Sequence, residues 1–314
     1  MTGLFKTAVE ATKHDERMTI DLTAASAFMA GHARVLDRRR FELLVGGGDP
    51  AAVLAALDAY RNPDGGYGWG LEPDLRSPES QPGAALHAFE ALADIAPVRA
   101  PQAVALCDWL ASVSLPDGGL PFALPLTTTA ASAPWWQNAE PGSSLQITSV
   151  TVAEALRVAA HDPAVGEHPW LDRAVRYCFD AIRKIDGRPF AYVLSFAIRF
   201  LDAAHDRHPE EAAELLRTLA AHVPADGRVH VDGGTEDESL HPLDFSPRSG
   251  LPSRSLFTPE VVAADLDRLA RLQQDDGGWV VDYAKISQAG ALDWRGYTTV
   301  HAVQVLSDAT RSPS

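Results

Sequence analysis

Apolar positions along this chain fall into two kinds of run, and the two kinds alternate. In the first, apolar residues occupy one side of a helical repeat and charges the other, as over residues 51–60, 171–184 and 261–272. That spacing marks helices with one wet face. Helix-start signals precede two of these runs, Asp49-Pro50 and Thr258-Pro259-Glu260. In the second kind the residues are apolar almost all round. Ala84–Leu92, Thr148–Leu156 and Thr298–Leu306 align without gaps, and Phe190–Leu201 follows the same pattern more loosely. Helices of that composition need cover on most sides.

An Asp-Gly pair stands between the two kinds of run, at Asp64, Asp117, Asp186, Asp226 and Asp276. Three copies read alike: Asn62–Tyr67, Leu115–Leu120 and Gln274–Trp279 each carry Asp-Gly-Gly before an apolar residue. Asp-Gly reverses the chain because Gly adopts positive φ without penalty and Asp bonds its own backbone. The repeated unit is thus a wet-faced helix, a tight turn and a buried helix. Repetition of that unit predicts two concentric helical rings in one all-α domain over residues 1–314, with Leu22–Leu44 as the opening inner helix. No run alternates as a strand does, so no sheet is expected. Residues 226–257, rich in Gly, Pro, Ser and acids, are expected to form an irregular loop or a lid.

Gln273–Trp279, with its partial copies at Asn62 and Leu115, resembles the QW repeat of squalene–hopene and oxidosqualene cyclases and of protein prenyltransferase β subunits. The likeness spans about residues 45–310 at the level of the repeat. It implies an (α/α)6 toroid with a central cavity lined by the inner helices. It also implies an isoprenoid or similarly apolar small-molecule substrate, and acid-initiated cyclisation as the reaction. The DxDD and DDxxD motifs of those families are absent, and Asp275-Asp276 belongs to a repeat turn. Neither Cys107 nor Cys178 stands in the Asp-x-Cys context of a prenyltransferase zinc site. No metal and no other cofactor is therefore expected. Because (α/α)6 toroids also host glycosidases and lyases, a carbohydrate-active enzyme and a non-catalytic binding toroid stay open.

Net charge narrows the partners. At −15 the chain is poorly suited to phosphate backbones, so no nucleic-acid partner is expected. Its one dense basic run, Arg38–Arg40, reads as a solvated helix face or, alternatively, an anion site. Cys107 and Cys178 lie in apolar helical contexts and read as buried reduced thiols. Met1–Glu10 lacks the apolar stretch of a secretory signal, and no run of about 18 apolar residues suggests a membrane span. The expected location is cytoplasmic.

Candidate chemistry concentrates where the repeat is broken. Glu72 and Asp74 flank Pro73 between the first turn and its buried helix, at the mouth of the expected cavity. Two close acids raise the pKa of one of them into the range of a proton donor. The alternative is a helix-start cap with Asp74 paired to Arg76; the second repeat has only Glu140 at the comparable place. His87 and His301 share one column of the repeat, with Thr151 in the third copy. They face either the cavity or a neighbouring helix's carbonyl. The column Glu90, Glu154, Gln304 reads as a structural polar layer. Tyr192, Phe196 and Phe200 lie four apart, and Trp135, Trp136, Trp294 and Tyr297 stand where inner helices begin. Aromatic faces there suit either a core or the stabilisation of a cation. In the 226–257 loop, Asp244 is a second candidate acid, and Arg248 and Arg254 are candidate clamps for a diphosphate or carboxylate, or else surface charges.

Overall fold

The computed structural model describes residues 20–311; the N-terminal segment read for targeting lies outside them. Among the described residues are fourteen α-helices and one two-stranded ladder. The chain is all-α, and no described helix is long and apolar enough to cross a membrane.

Helices α1 (Leu22–His32), α3 (Pro50–Leu57), α5 (Pro101–Val113), α9 (Pro169–Arg183), α11 (Pro209–Ala220) and α13 (Pro259–Arg271) alternate with a second set. That second set is α2 (Val35–Leu44), α4 (Pro82–Asp94), α7 (Leu145–Ala159), α10 (Ala191–Ala204) and α14 (Gln288–Arg311). Single turns at Pro134–Gln137 (α6), Pro163–Gly166 (α8) and Pro242–Phe245 (α12) complete the helices. Proline opens most of the first set because the missing N–H falls where a helix has no use for one. Where no proline is available, Asp21 caps α1 by accepting from the Ala24 N–H at 2.8 Å.

The three aligned apolar segments fall inside α4, α7 and α14, as the repeat requires. Ala84–Leu92 has one half-buried side chain, Leu86, and Thr148–Leu156 is buried throughout. Packing follows the order of the chain: α2 contacts α4, α4 contacts α7, α7 contacts α10, and α10 contacts α12. Helix α14 packs against α13 before it and against α1 and α2 at the other end of the chain.

The Asp-Gly turns are packing devices as well as reversals. Asp64, Asp117 and Asp276 each accept a hydrogen bond from the backbone N–H two residues on. The following glycine then presses on the backbone of another helix. A Cβ on Gly65 would lie 2.8 Å from the Ala105 carbonyl oxygen, and one on Gly118 2.8 Å from that of Arg173. On Gly277, whose φ is 91°, it would lie 2.2 Å from Ala24 in α1. Gln273 reinforces this last contact. Its side chain accepts from Asp21 N–H and donates to the carbonyls of Asp21 and Gly277.

Two expectations need correction, and a third segment gains detail. Leu22–Leu44 is two helices rather than one, broken at Ala33-Arg34. Arg34 is drawn across to the carbonyls of Gly70 and Leu71 and to its neighbour Asp37. A short antiparallel ladder does exist, Val229–His230 with Ser239–Leu240. Residues 226–257 contribute Val229, Val231, Leu240, Leu243, Phe245 and Phe257 to the core, so much of this irregular segment is packed interior.

Candidate active site

Glu72, Pro73, Asp74 and Leu75 form a tight turn, closed by the Leu75 N–H donating to the Glu72 carbonyl at 3.0 Å. Proline suits the second place of such a turn, where its fixed φ is already correct. Arg34 anchors the strand before it, and the Ala133 N–H donates to the Asp74 carbonyl at 2.8 Å. Both carboxyl side chains are buried. Glu140, at the comparable place in the second repeat, is exposed.

The two acids have different partners. Glu72 Oε1 accepts from the Asp74 backbone N–H at 3.1 Å, and its Oε2 lies 3.0 Å from His87 Nε2. Asp74 Oδ1 is buried with no hydrogen-bond partner among the described residues. Burial first, and then the neighbouring Glu72 carboxylate, push the Asp74 pKa up to about 7, while the Trp294 indole works the other way. Asp74 is not paired with Arg76, whose guanidinium lies 2.5 Å from Asp293 at the start of α14. The cap reading of Asp74 loses its partner to that contact.

His87 faces neither an open cavity nor a helix carbonyl. Its Nδ1 lies 2.9 Å from Glu90 Oε2, completing a Glu72–His87–Glu90 bridge. Burial opposes a charge on His87, but Glu90 and Glu72 overcome it and raise its pKa to about 9. Glu90 feels the converse: burial resists its charge, yet His87, Arg40 and Tyr297 hold it far below the ordinary carboxylate range. The Tyr297 hydroxyl donates to Glu90 Oε1 at 2.8 Å. Around this bridge the rings meet edge to face: His87 with Trp294 at 6.0 Å, Trp294 with Tyr297 at 5.4 Å and with Tyr283 at 5.2 Å.

Glu90 and Tyr297 also line a cavity of about 50 Å³ between the inner helices. Its other charged and polar walls are Arg40, Arg157, Arg199, Arg248, Glu154, Asp202, His301 and Gln304. Two readings change here. Glu90, Glu154 and Gln304 are cavity walls as well as a polar layer, and Arg40 is turned inward onto Asp94 at 2.7 Å, not into solvent. Arg39 is the exposed member of that run and pairs with Glu42. His301 does face the cavity; burial, and after it Arg199, hold its pKa down near 4, so it is neutral at pH 7.

The remaining candidates are dispersed. Asp244 sits in the first turn of α12, where its Oδ2 accepts from the His241 N–H at 2.7 Å, and burial raises its pKa to about 6. The charges that act on it are Asp265, Arg268 and Asp282. Tyr192 donates to Glu238, and Phe196 lies beside it, with ring centroids 5.8 Å apart. Phe200 turns away onto Phe179 of α9 and is core. Trp136 stacks on Phe122 and rests against Gly83, while Trp135 is exposed. Arg254 lies in the 252–256 turn, outside the cavity wall that Arg248 forms, and its buried Nε and one terminal nitrogen lack hydrogen-bond partners among the described residues. Cys107 and Cys178 are buried free thiols, and burial pushes that of Cys107 up to about 12.

Sequence reasoning missed Tyr283, Asp293, Arg157 and Arg199. Asp293 and Arg199 gain their places from elements distant in sequence, through Arg76 and Glu154, while Arg157 pairs within its own helix and Tyr283 meets the nearby Trp294. No group of three or more His, Cys, Asp and Glu side chains among the described residues is arranged to hold a metal ion. No protein-family model matches the chain, and no curated protein matches its sequence.

Proposed function

We propose that this chain is an enzyme of the terpenoid cyclase and prenyltransferase-like group that starts its reaction by protonating an apolar substrate from Asp74. The observation that carries the reading is the state of that side chain. It is a buried carboxyl with an unpartnered oxygen and a pKa of about 7, beside Trp294. An acid poised near neutrality is half protonated at the working pH and still strong enough to give its proton away. In the proposed step the Asp74 O–H bond breaks and a C–H bond forms at one carbon of a substrate double bond. The neighbouring carbon becomes cationic and Asp74 becomes a carboxylate. The faces of Trp294 and Tyr283 then stabilise the cation. The step is complete when a proton is lost from the rearranged cation, for which the Asp74 carboxylate is the acceptor at hand.

The helix order supports the toroid as the frame for this chemistry. Pairs α1/α2, α3/α4, α5/α7, α9/α10, α11/α12 and α13/α14 would make the six units, with α12 and the 252–256 turn standing in for a full inner helix. The packing of α14 and its preceding turn onto α1 and α2 supports closure of the ring.

A second reading, a carbohydrate-active enzyme, draws support from the polar walls of the central cavity. Three carboxyl groups, Glu90, Glu154 and Asp202, line it. All three are engaged, Glu90 by His87 and Tyr297, Glu154 by Arg157 and Arg199, and Asp202 by the Ser253 N–H and hydroxyl. A glycosidase needs one of its pair protonated near neutrality. Glu90, held far below that range, is ill suited to the part, and Asp202, raised to about 6 by burial, has both oxygens bonded to Ser253, which leaves the Asp74 reading ahead.

Incubation with a panel of isoprenoid alkenes and oligosaccharides in deuterated water separates the two. An isoprenoid product carrying solvent deuterium, formed by the wild type and not by Asp74→Asn, is the expected result. Equal turnover per folded molecule in the two proteins, or turnover of oligosaccharides alone, would overturn it.

A further inference from the structure

We propose that the central cavity is a binding site for a small oxyanion, the phosphate or carboxylate end of a ligand, held by Arg157, Arg199 and Arg248. The inference is independent of any proton transfer at Asp74. It begins from an imbalance. A chain with a net charge of −15 places four arginines and three carboxylates around one interior space. Buried charges are costly unless paired, and most of these are paired. Arg40 is held by Asp94 at 2.7 Å. Arg157 and Arg199 converge from α7 and α10 on the same carboxylate, Glu154, each taking one of its two oxygens.

Arg248 is left over. It has neither a hydrogen bond nor an ion pair to another described residue, although it lines the cavity and is partly buried. Burial first, and then the guanidinium groups of Arg157 and Arg199, press its pKa down, with Glu154 and Asp308 in partial opposition. Three guanidinium groups thus crowd together, two of them bonded to the one carboxylate of Glu154 and the third bonded to none. Asp202, on the same wall, offsets this in part, since Arg248 draws its pKa down, but it makes no ion pair with Arg248. Its oxygens already accept from the Ser253 N–H and hydroxyl, and burial raises its pKa to about 6. His301 is neutral there and Tyr297 is committed to Glu90.

An anion placed among the three arginines would restore the balance that the fold lacks. Arginine is the side chain suited to the task, because its planar fork meets two oxygens of a phosphate or carboxylate at once. Size agrees with an oxyanion group. A cavity of about 50 Å³ compares with roughly 10–15 Å³ needed for one water. It takes a group of several heavy atoms.

Calorimetric titration of the intact protein with inorganic phosphate, and separately with acetate, against potassium chloride at matched ionic strength tests the site. Saturable binding of phosphate or acetate with no counterpart in chloride is expected; which of the two binds tells a phosphate from a carboxylate ligand. Arg248→Gln should weaken binding by about tenfold or more, the effect of one charge-assisted fork. Asp74→Asn should bind as the wild type does, so failure here is separable from failure of the proton-donor reading. If Arg248→Gln does not fold, Arg248→Lys carries the same test, since it keeps the charge and loses the fork, and a several-fold loss is expected. Phosphate and acetate heats no different from chloride, or unchanged affinity in the folded Arg248 variant, would overturn the proposal.

Discussion

Glu72 and His87 meet inside the protein, Oε2 to Nε2 at 3.0 Å, although one belongs to an irregular turn and the other to the middle of α4. The same imidazole reaches Glu90 one helical turn further along. A cationic His87 therefore ties the turn that carries Asp74 to the inner helix behind it.

That pairing makes stability depend on pH in a stated direction. The folded-state pKa of His87 is raised to about 9 from 6.5. The stability it contributes is fully present below about pH 6.5 and is lost as pH rises through 9. His87→Gln leaves Glu72 without its cation and Glu90 with Arg40 alone, a change that costs about 3–5 kcal/mol. Urea denaturation at pH 6 should show that gap between variant and wild type, and at pH 10 the gap should narrow. A gap of the same size at both pH values would show that His87 is not charged in the folded protein.

Asp74 acts in the same sense for a different reason. Its folded pKa is raised from 3.8 to about 7, so the folded protein holds a proton that the unfolded chain has released. The associated stability is present below about pH 3.8 and is lost as pH rises through 7, by at most about 4 kcal/mol. Asparagine cannot ionise, so Asp74→Asn should gain on the wild type between pH 5 and pH 8.5. Paired thermal melts at the two pH values measure this, and a difference between the proteins that does not move with pH would contradict it.

The repeat turns can be tested apart from the chemistry. Gly277→Ala places a methyl group against the Ala24 backbone and requires a positive φ as well. Gly187 also has positive φ, at 70°, but nothing lies within 4 Å of the position its Cβ would take. Gly187→Ala should therefore cost only about 1 kcal/mol, the backbone term. Gly277→Ala should cost at least about 2 kcal/mol more through the clash. Equal losses in chemical denaturation would mean that the last turn does not seat on the first helix as described.

How much of this was legible in the sequence follows from the range of the interactions. The all-helical class and the positions of α4, α7 and α14 were readable because burial on every side leaves a continuous apolar signature, and Asp-Gly marks the reversals locally. The rule-breaking Glu72-Pro73-Asp74 segment stood out against that regular background. What joins it to the rest did not. Asp293 lies 217 residues from Arg76, and Tyr297 lies 207 residues from Glu90, so neither pairing has a local signal. Arg40 looked solvated because its run of three arginines suggested a wet face, yet Asp94, 54 residues away, draws it inward. The break at Ala33-Arg34 was hidden for the same reason: the groups that pull Arg34 out of line are the carbonyls of Gly70 and Leu71.

The central claim is that Asp74 holds a proton near neutral pH and is ready to transfer it. Carbon-13 NMR of protein labelled at aspartate carboxyl carbons reads this directly, with Asp74→Asn, Asp202→Asn and Asp244→Asn assigning the three resonances expected to titrate high. The account predicts a resonance with its midpoint near pH 7 that is missing from Asp74→Asn alone. An Asp74 resonance that titrates near pH 4, like that of an exposed aspartate, would contradict it.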